Sequence, residues 1–111
     1  FMGLDQHITE LDVSLYSDPG SCFANQTGCD ADYGGSVPAS VLTRQAQLYR
    51  GLFNGFVARP SVTSVTTWGV SDAQSWLNTV PITRTNAPLL WDRDRDAKPA
   101  LQAILDPAFT P

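Results

Sequence analysis

Residues 7–16 read HITELDVSLY, and the placement of two acids in that run decides what kind of sheet the chain can build. With a side-chain period of two, Ile8, Glu10 and Asp12 share one face and Thr9, Leu11, Val13 and Leu15 the other. On a strand wet on one side, the acids would face water over a core stripe of Leu11, Val13 and Leu15. Ile8 does not fit such a face. If both faces are covered, as in a parallel sheet, the strand carries a buried acidic pair, which is costly unless it has partners or chemistry to perform.

The rest of the chain argues for the parallel sheet. A strand over 6–15 is followed by a Gly-, Ser-, Asp- and Asn-rich loop over 16–37, long enough to suggest a functional role. Pro38 sits at a first helical position, and Val41, Leu42, Leu48, Leu52, Phe53, Phe56 and Val57 recur at helical spacing until Arg59-Pro60 stops the run. Residues 61–68, SVTSVTTW, read as a short, largely buried second strand. A second long irregular segment follows, with a turn of helix around 72–77 and a charge run at 92–96 that reads as a solvated loop. Pro99 then opens a last helix with Leu101, Ile104 and Leu105 as its buried face, ending at Pro107.

Strand, long loop, helix, strand, long loop, helix is an α/β order with parallel strands. In both units the long loop follows the strand and the return from the helix is short, as in a (β/α) barrel whose working face lies at the C-terminal ends of its strands. A doubly wound nucleotide-binding sheet would advertise a Gly-rich phosphate turn, and none is present. Two strands make only part of a barrel, with edges that need partners.

Composition narrows the function. The 111 residues, 42% of them hydrophobic, suffice for one modest unit and not for two independent cores. Eleven acidic against seven basic residues, a net charge of −4, disfavour nucleic acid and anionic lipid as partners. A neutral ligand such as a sugar stays open. No stretch approaches the ~20 apolar residues of a membrane span, and FMGLDQ lacks the character of a secretory signal. That opening reads as a chain entered inside a longer protein, just after a helix ending at Gly3. Cys22 and Cys29 lie in a polar loop where a disulfide is expected, favouring an oxidising, extracellular setting, with free thiols as the alternative.

A barrel gives the acids a purpose, since Glu10 and Asp12 would face its mouth. Trp68, ending the second strand, and Trp76, eight residues on, would stand over the same mouth and offer flat faces to the C–H surfaces of a sugar ring. A tryptophan at a strand end is also ordinary core.

ITELDV at 8–13, RQAQLYRGLF at 44–53, WGVSDAQSW at 68–76 and PLLWDRDRDAKPA at 88–100 together resemble, in the right order, the C-terminal part of the family 10 glycoside hydrolases, the endo-1,4-β-xylanases. The resemblance implies a (β/α)8 TIM barrel, with residues 1–111 supplying about the seventh and eighth βα units of one catalytic domain. It implies retaining hydrolysis of internal β-1,4 xylosidic bonds, with Glu10 as nucleophile and Asp12 as a supporting acid for the network around it. Trp68 and Trp76 would line the subsites next to the scissile bond, and Asp72 would pin the turn between them. The acid/base glutamate of the family lies on an earlier strand, so the implied partners are xylan or xylo-oligosaccharides and the N-terminal remainder of the barrel.

No cofactor or metal is called for. Asp18, Asp30 and Asp32 match no known oxygen cage and read as solvated loop acids. His7 alternates away from Glu10 and is expected to pack beside a helix. Asn25-Gln26-Thr27 is a glycosylation sequon, meaningful only in a eukaryotic source. Two other readings stay open: a non-catalytic carbohydrate-binding or autonomously folded fragment using Trp68 and Trp76, and a structural strand with Glu10 in an ion pair.

Overall fold

A computed structural model describes residues 3–111; the helix expected before Gly3 would fall on residues 1 and 2, outside the described residues. Two strands, β1 (Gln6–Leu11) and β2 (Val62–Thr67), pair in parallel. Between them run a short helix α1 (Gly20–Asn25) and the long α2 (Ala39–Val57). After β2 come two 3₁₀ turns, Asp72–Gln74 and Trp76–Asn78, and then α3 (Pro99–Leu105). The two βα connections are long and the return from α2 to β2 is tight, with Val62 N–H donating to the Arg59 carbonyl at 3.0 Å.

Several boundaries differ from the sequence expectation for identifiable reasons. Strand β1 stops at Leu11 because the next residues leave β2 for other partners: Val13 N–H donates to Pro88 O at 3.1 Å, and Leu15 N–H to Asn86 Oδ1 at 3.1 Å. Pro38 is the N-cap of α2, and at α3 Pro99 takes the first turn, where a missing N–H costs nothing. The 16–37 loop also holds a helix, α1, followed by Gln26 in the left-handed conformation. Strand β2 is half exposed, not largely buried, since a two-stranded sheet covers little of either face.

The core lies where α2 meets α3. Ala46, Tyr49, Leu90, Ala100 and Ala103 are buried together, with Leu11, Val13, Phe53, Trp91 and Ile104 packed around them. Alanines on both helices let the backbones approach closely. Thus α2 fully buries Gln45, Ala46 and Tyr49; of the expected apolar stripe, Val41, Leu42, Phe53 and Phe56 are half-buried, with Phe53 packed on this core, while Leu48, Leu52 and Val57 are exposed. On α3 the buried positions are Ala100 and Ala103, the expected Leu101 and Ile104 are half-buried against the same core, and Leu105 lies outside, 72% exposed. Arg50 ties the helices by donating to the carbonyls of Ala103, Asp106 and Phe109, satisfying the free carbonyl end of α3.

Candidate active site

The strand that opens the chain is not regular at its acids. Ile8 pairs with Val65 and Leu11 with Thr67, so Thr9 and Glu10 together oppose a single residue of β2. This is a β-bulge, and Glu10 takes the strain, with φ at 58° in the left-handed region that non-glycine residues avoid. The bulge explains why Ile8 looked misplaced. One extra residue resets the alternation, so that Ile8 and Leu11, three apart, are the two half-buried positions of β1. Strict alternation through Glu10 and Asp12 therefore fails. Glu10 sits instead on a local bend, exposed, and among the described residues its carboxylate has neither a hydrogen-bond nor an ion-pair partner. Bulges of this kind re-aim side chains, and strain held in a non-glycine residue is characteristic of functional positions.

The next residues fix both tryptophans to this strand end. Leu11 O accepts from the Trp68 backbone N–H at 2.9 Å. Asp12, half-buried, accepts from the Trp76 indole Nε1–H through Oδ2 at 2.8 Å. Trp68 and Trp76 are 50% and 45% exposed, which separates them from ordinary core tryptophans. Gly69 makes the turn after Trp68, at φ 130°, where a Cβ would lie 2.9 Å from Leu89 Cδ1.

Beneath the tryptophans lies a buried polar frame. Ser75 caps the second 3₁₀ turn by accepting from Leu77 N–H, and Ser71 caps the first by accepting from Ala73 N–H. Asp72, 1% exposed, accepts from Leu89 N–H at 2.8 Å and lies 2.9 Å from Lys98 Nζ. That ammonium also donates to the carbonyls of Ala87 and Leu89 at 2.6 and 2.8 Å. The Asp72 contact meets the distance of an ion pair without the alignment of a hydrogen bond. Burial pushes the Asp72 carboxyl up and the Lys98 ammonium down, and their mutual attraction opposes both shifts. Asp72 thus pins the 87–89 segment as well as its own turn. Tyr49 joins the frame by donating to Pro88 O at 2.5 Å; burial, then the charges of Asp12 and Asp72, push its hydroxyl pKa up.

The cysteine loop is fastened to this frame. Cys22 and Cys29 form a disulfide, and Arg84 ion-pairs with Asp18 and donates to Asp30 O at 2.9 Å. Asp30 accepts from Ser17 N–H, and Asp32 from the Gly34 and Thr85 N–H groups. These acids are loop anchors, not merely solvated charges. Asp18 also lies near the cysteine sulfurs, but a disulfide offers no thiolate and the carboxylate is committed to Arg84. His7 is exposed and meets Ser64 Oγ at 2.6 Å across the sheet, so it is a cross-strand partner, not a helix neighbour.

Glu10, Asp12, Trp68 and Trp76 therefore converge on one strand end, while Arg84, Asn86, Lys98 and Gln45 form a frame that hydropathy patterning did not anticipate. Arg84 and Asn86 were signalled only by the hydrogen-bonding residues of RTNAPLL at 84–90, whereas Gln45 and Lys98 lie inside the RQAQLYRGLF and PLLWDRDRDAKPA stretches. A cavity of about 600 Å³ lies elsewhere, between Gly34, Leu42, Asp72, Arg93 and Lys98. The strand end is the better candidate, because a barrel mouth gains its remaining walls from other strands.

Parallel strands with long loops at their C-terminal ends, carrying acids and exposed tryptophans, define part of a (β/α)8 barrel of the glycoside-hydrolase type. Residues 1–107 match the model of glycosyl hydrolase family 10, and the chain belongs to that family. It is 46% identical over 108 residues to a thermostable celloxylanase of Thermoclostridium stercorarium, covering 96% of this chain and 26% of that protein. The structure of xylanase B from Clostridium stercorarium F9 superposes with a TM-score of 0.82 at 47% identity, over 96% of this chain and 29% of that one. A mutant structure in complex with xylotriose superposes at 0.77 and 34% identity, over 94% of this chain and 30% of its own length. The chain corresponds to the C-terminal part of the barrel and spans about a quarter of the length of the celloxylanase.

Proposed function

We propose that this chain supplies the nucleophile and part of the sugar-binding surface of a retaining endo-1,4-β-xylanase acting on internal bonds of xylan. The carrying observation is Glu10: exposed, left-handed, on a bulge at a strand end where two half-exposed tryptophans are tethered. In this reading the Glu10 carboxylate attacks the anomeric carbon, and the glycosidic C–O bond breaks as a second glutamic acid protonates the leaving oxygen. The covalent glycosyl-enzyme is then hydrolysed by water that the second residue deprotonates, with net retention. That second residue lies outside this chain, on the N-terminal portion of the barrel, with its carboxyl about 5–5.5 Å from that of Glu10. Asp12 is the supporting acid, and the two-carboxylate mechanism calls for no metal or cofactor. The xylotriose complex of a relative supports xylo-oligosaccharides as ligands. The disulfide supports an extracellular site of action.

The test is xylan hydrolysis by the assembled protein carrying Glu10→Gln. Turnover should fall roughly a thousandfold or more, since Asp12, the other carboxylate at this strand end, is engaged by the Trp76 indole. Unchanged turnover would remove Glu10 from the nucleophile role. The exposure of Trp68 and Trp76 favours a second reading, a carbohydrate-binding surface without catalysis. That reading is preferred if the assembled wild-type protein binds xylo-oligosaccharides and hydrolyses none.

A further inference from the structure

We propose that Asp12 is a positioning residue for the sugar platform: its carboxylate holds the Trp76 indole in one orientation at the strand end that carries Glu10. This rests on the xylanase reading above and assigns Asp12 a task distinct from supporting the nucleophile.

Indole has a single polar hydrogen, on Nε1. In Trp76 it is given to Asp12 Oδ2 at 2.8 Å, across 64 residues of sequence. The acceptor is a carboxylate, which makes the bond stronger than a neutral pair. The backbone of Trp76 is already fixed: Ser75 caps its turn, and its carbonyl accepts from Thr79 N–H and Thr79 Oγ1, both at 3.1 Å. Rotation about the two side-chain torsions is the freedom left to an indole 45% exposed, and the bond to Asp12 removes it. Because the bond is made at the ring edge, both π faces stay available for the C–H surface of a sugar.

Asp12 is itself well held. Leu11 and Val13, on either side, pack against the helix core, and their backbones bond to Trp68 and Pro88. The dipeptide Leu11-Asp12 therefore registers both tryptophans to the strand of Glu10, Trp68 through the backbone and Trp76 through its side chain. An indole free to swing would pay ordering entropy each time a sugar bound, so pre-orientation should appear as affinity.

The experiment uses the assembled protein with Glu10→Gln, so that xylo-oligosaccharide binding is measured by calorimetry without turnover. Asp12→Ala should weaken binding about tenfold. Trp76→Phe, which keeps an aromatic face but loses the donor, should weaken it comparably, and the double variant should be little worse than either single one. Asp12→Asn, which retains an acceptor, should recover part of the loss. Unchanged affinity in Asp12→Ala, or additive losses in the double variant, would overturn the proposal. Failure of the xylanase reading shows separately, as no binding in the Glu10→Gln parent or undiminished hydrolysis by it.

Discussion

The guanidinium of Arg84 sits 3.8 Å from the centroid of the Tyr16 ring while pairing with Asp18, so one buried cation joins the loop after β1 to the loop after β2. Tyr16 completes the joint. Its hydroxyl donates to Thr85 O at 2.6 Å and accepts from Tyr33 N–H, and its ring stacks on Tyr33.

Replacing Arg84 by Met should therefore leave the Asp18 charge buried without its partner and cost about 3–5 kcal/mol in denaturant unfolding. Arg84→Met with Asp18→Asn should lose less, because the stranded charge is gone. The same pair sets an acid dependence. Hydrogen bonding from Arg84 holds the Asp18 carboxyl below the usual carboxylate range, so its contribution is present above about pH 4 and is lost as pH falls through the depressed value. The advantage of the wild type over the double variant should shrink below about pH 4, and an advantage constant with pH would contradict this account.

What the sequence made legible follows from what periodicity can encode. The α2 helix, β2 and the turn of α3 at Pro99 are written in local patterns, and the long-loop, short-return rhythm named the barrel. Strict alternation then misplaced Ile8, because a bulge between Ile8 and Leu11 depends on pairing with β2 that no local pattern records. On the helices the expected Phe53, Leu101 and Ile104 do pack on the core, while Leu48, Leu52, Val57 and Leu105 are exposed and the innermost contact is made by Tyr49 and the small Ala46, Ala100 and Ala103. Hydrophobicity ranks residues by appetite for burial; close helix approach selects them by size. At the site, Glu10, Asp12 and the tryptophans carried the family motifs, whereas the role of Arg84 depends on partners 54 to 68 residues away.

Gly69→Ala should damage the protein by about 2–3 kcal/mol, combining a backbone conformation that L side chains rarely adopt with a Cβ 2.9 Å from Leu89, itself fully buried. Because Gly69 follows Trp68, sugar affinity should fall as well. Gly35→Ala is the control: a Cβ there meets nothing within 4 Å, and the change should stay within about 1 kcal/mol. Thermal unfolding of the two variants side by side checks the contrast, and equal effects would show that the Leu89 contact does not matter.

Lys98 closes the frame beneath the tryptophans, and its variants should separate charge from hydrogen bonding. Lys98→Met removes the donor to Ala87 O and Leu89 O and strands the Asp72 carboxylate, a loss expected at about 3–5 kcal/mol. Asp72→Asn should cost less near neutral pH, since an amide oxygen can still accept from Leu89 N–H. It should also deepen a pH dependence of predictable sign that the wild type already carries. Burial lowers the Lys98 pKa, and Asp72 is the charge that opposes this most. Without Asp72, the folded state binds the lysine proton more weakly than the unfolded chain does, so stability rises as pH climbs from the lowered value toward the ordinary lysine value near 10.4. Denaturation of Asp72→Asn at pH 7 and pH 10 should thus show a narrowing deficit against the wild type. A deficit that stays constant between the two pH values would mean that Lys98 is held charged by its two carbonyl acceptors and not by Asp72.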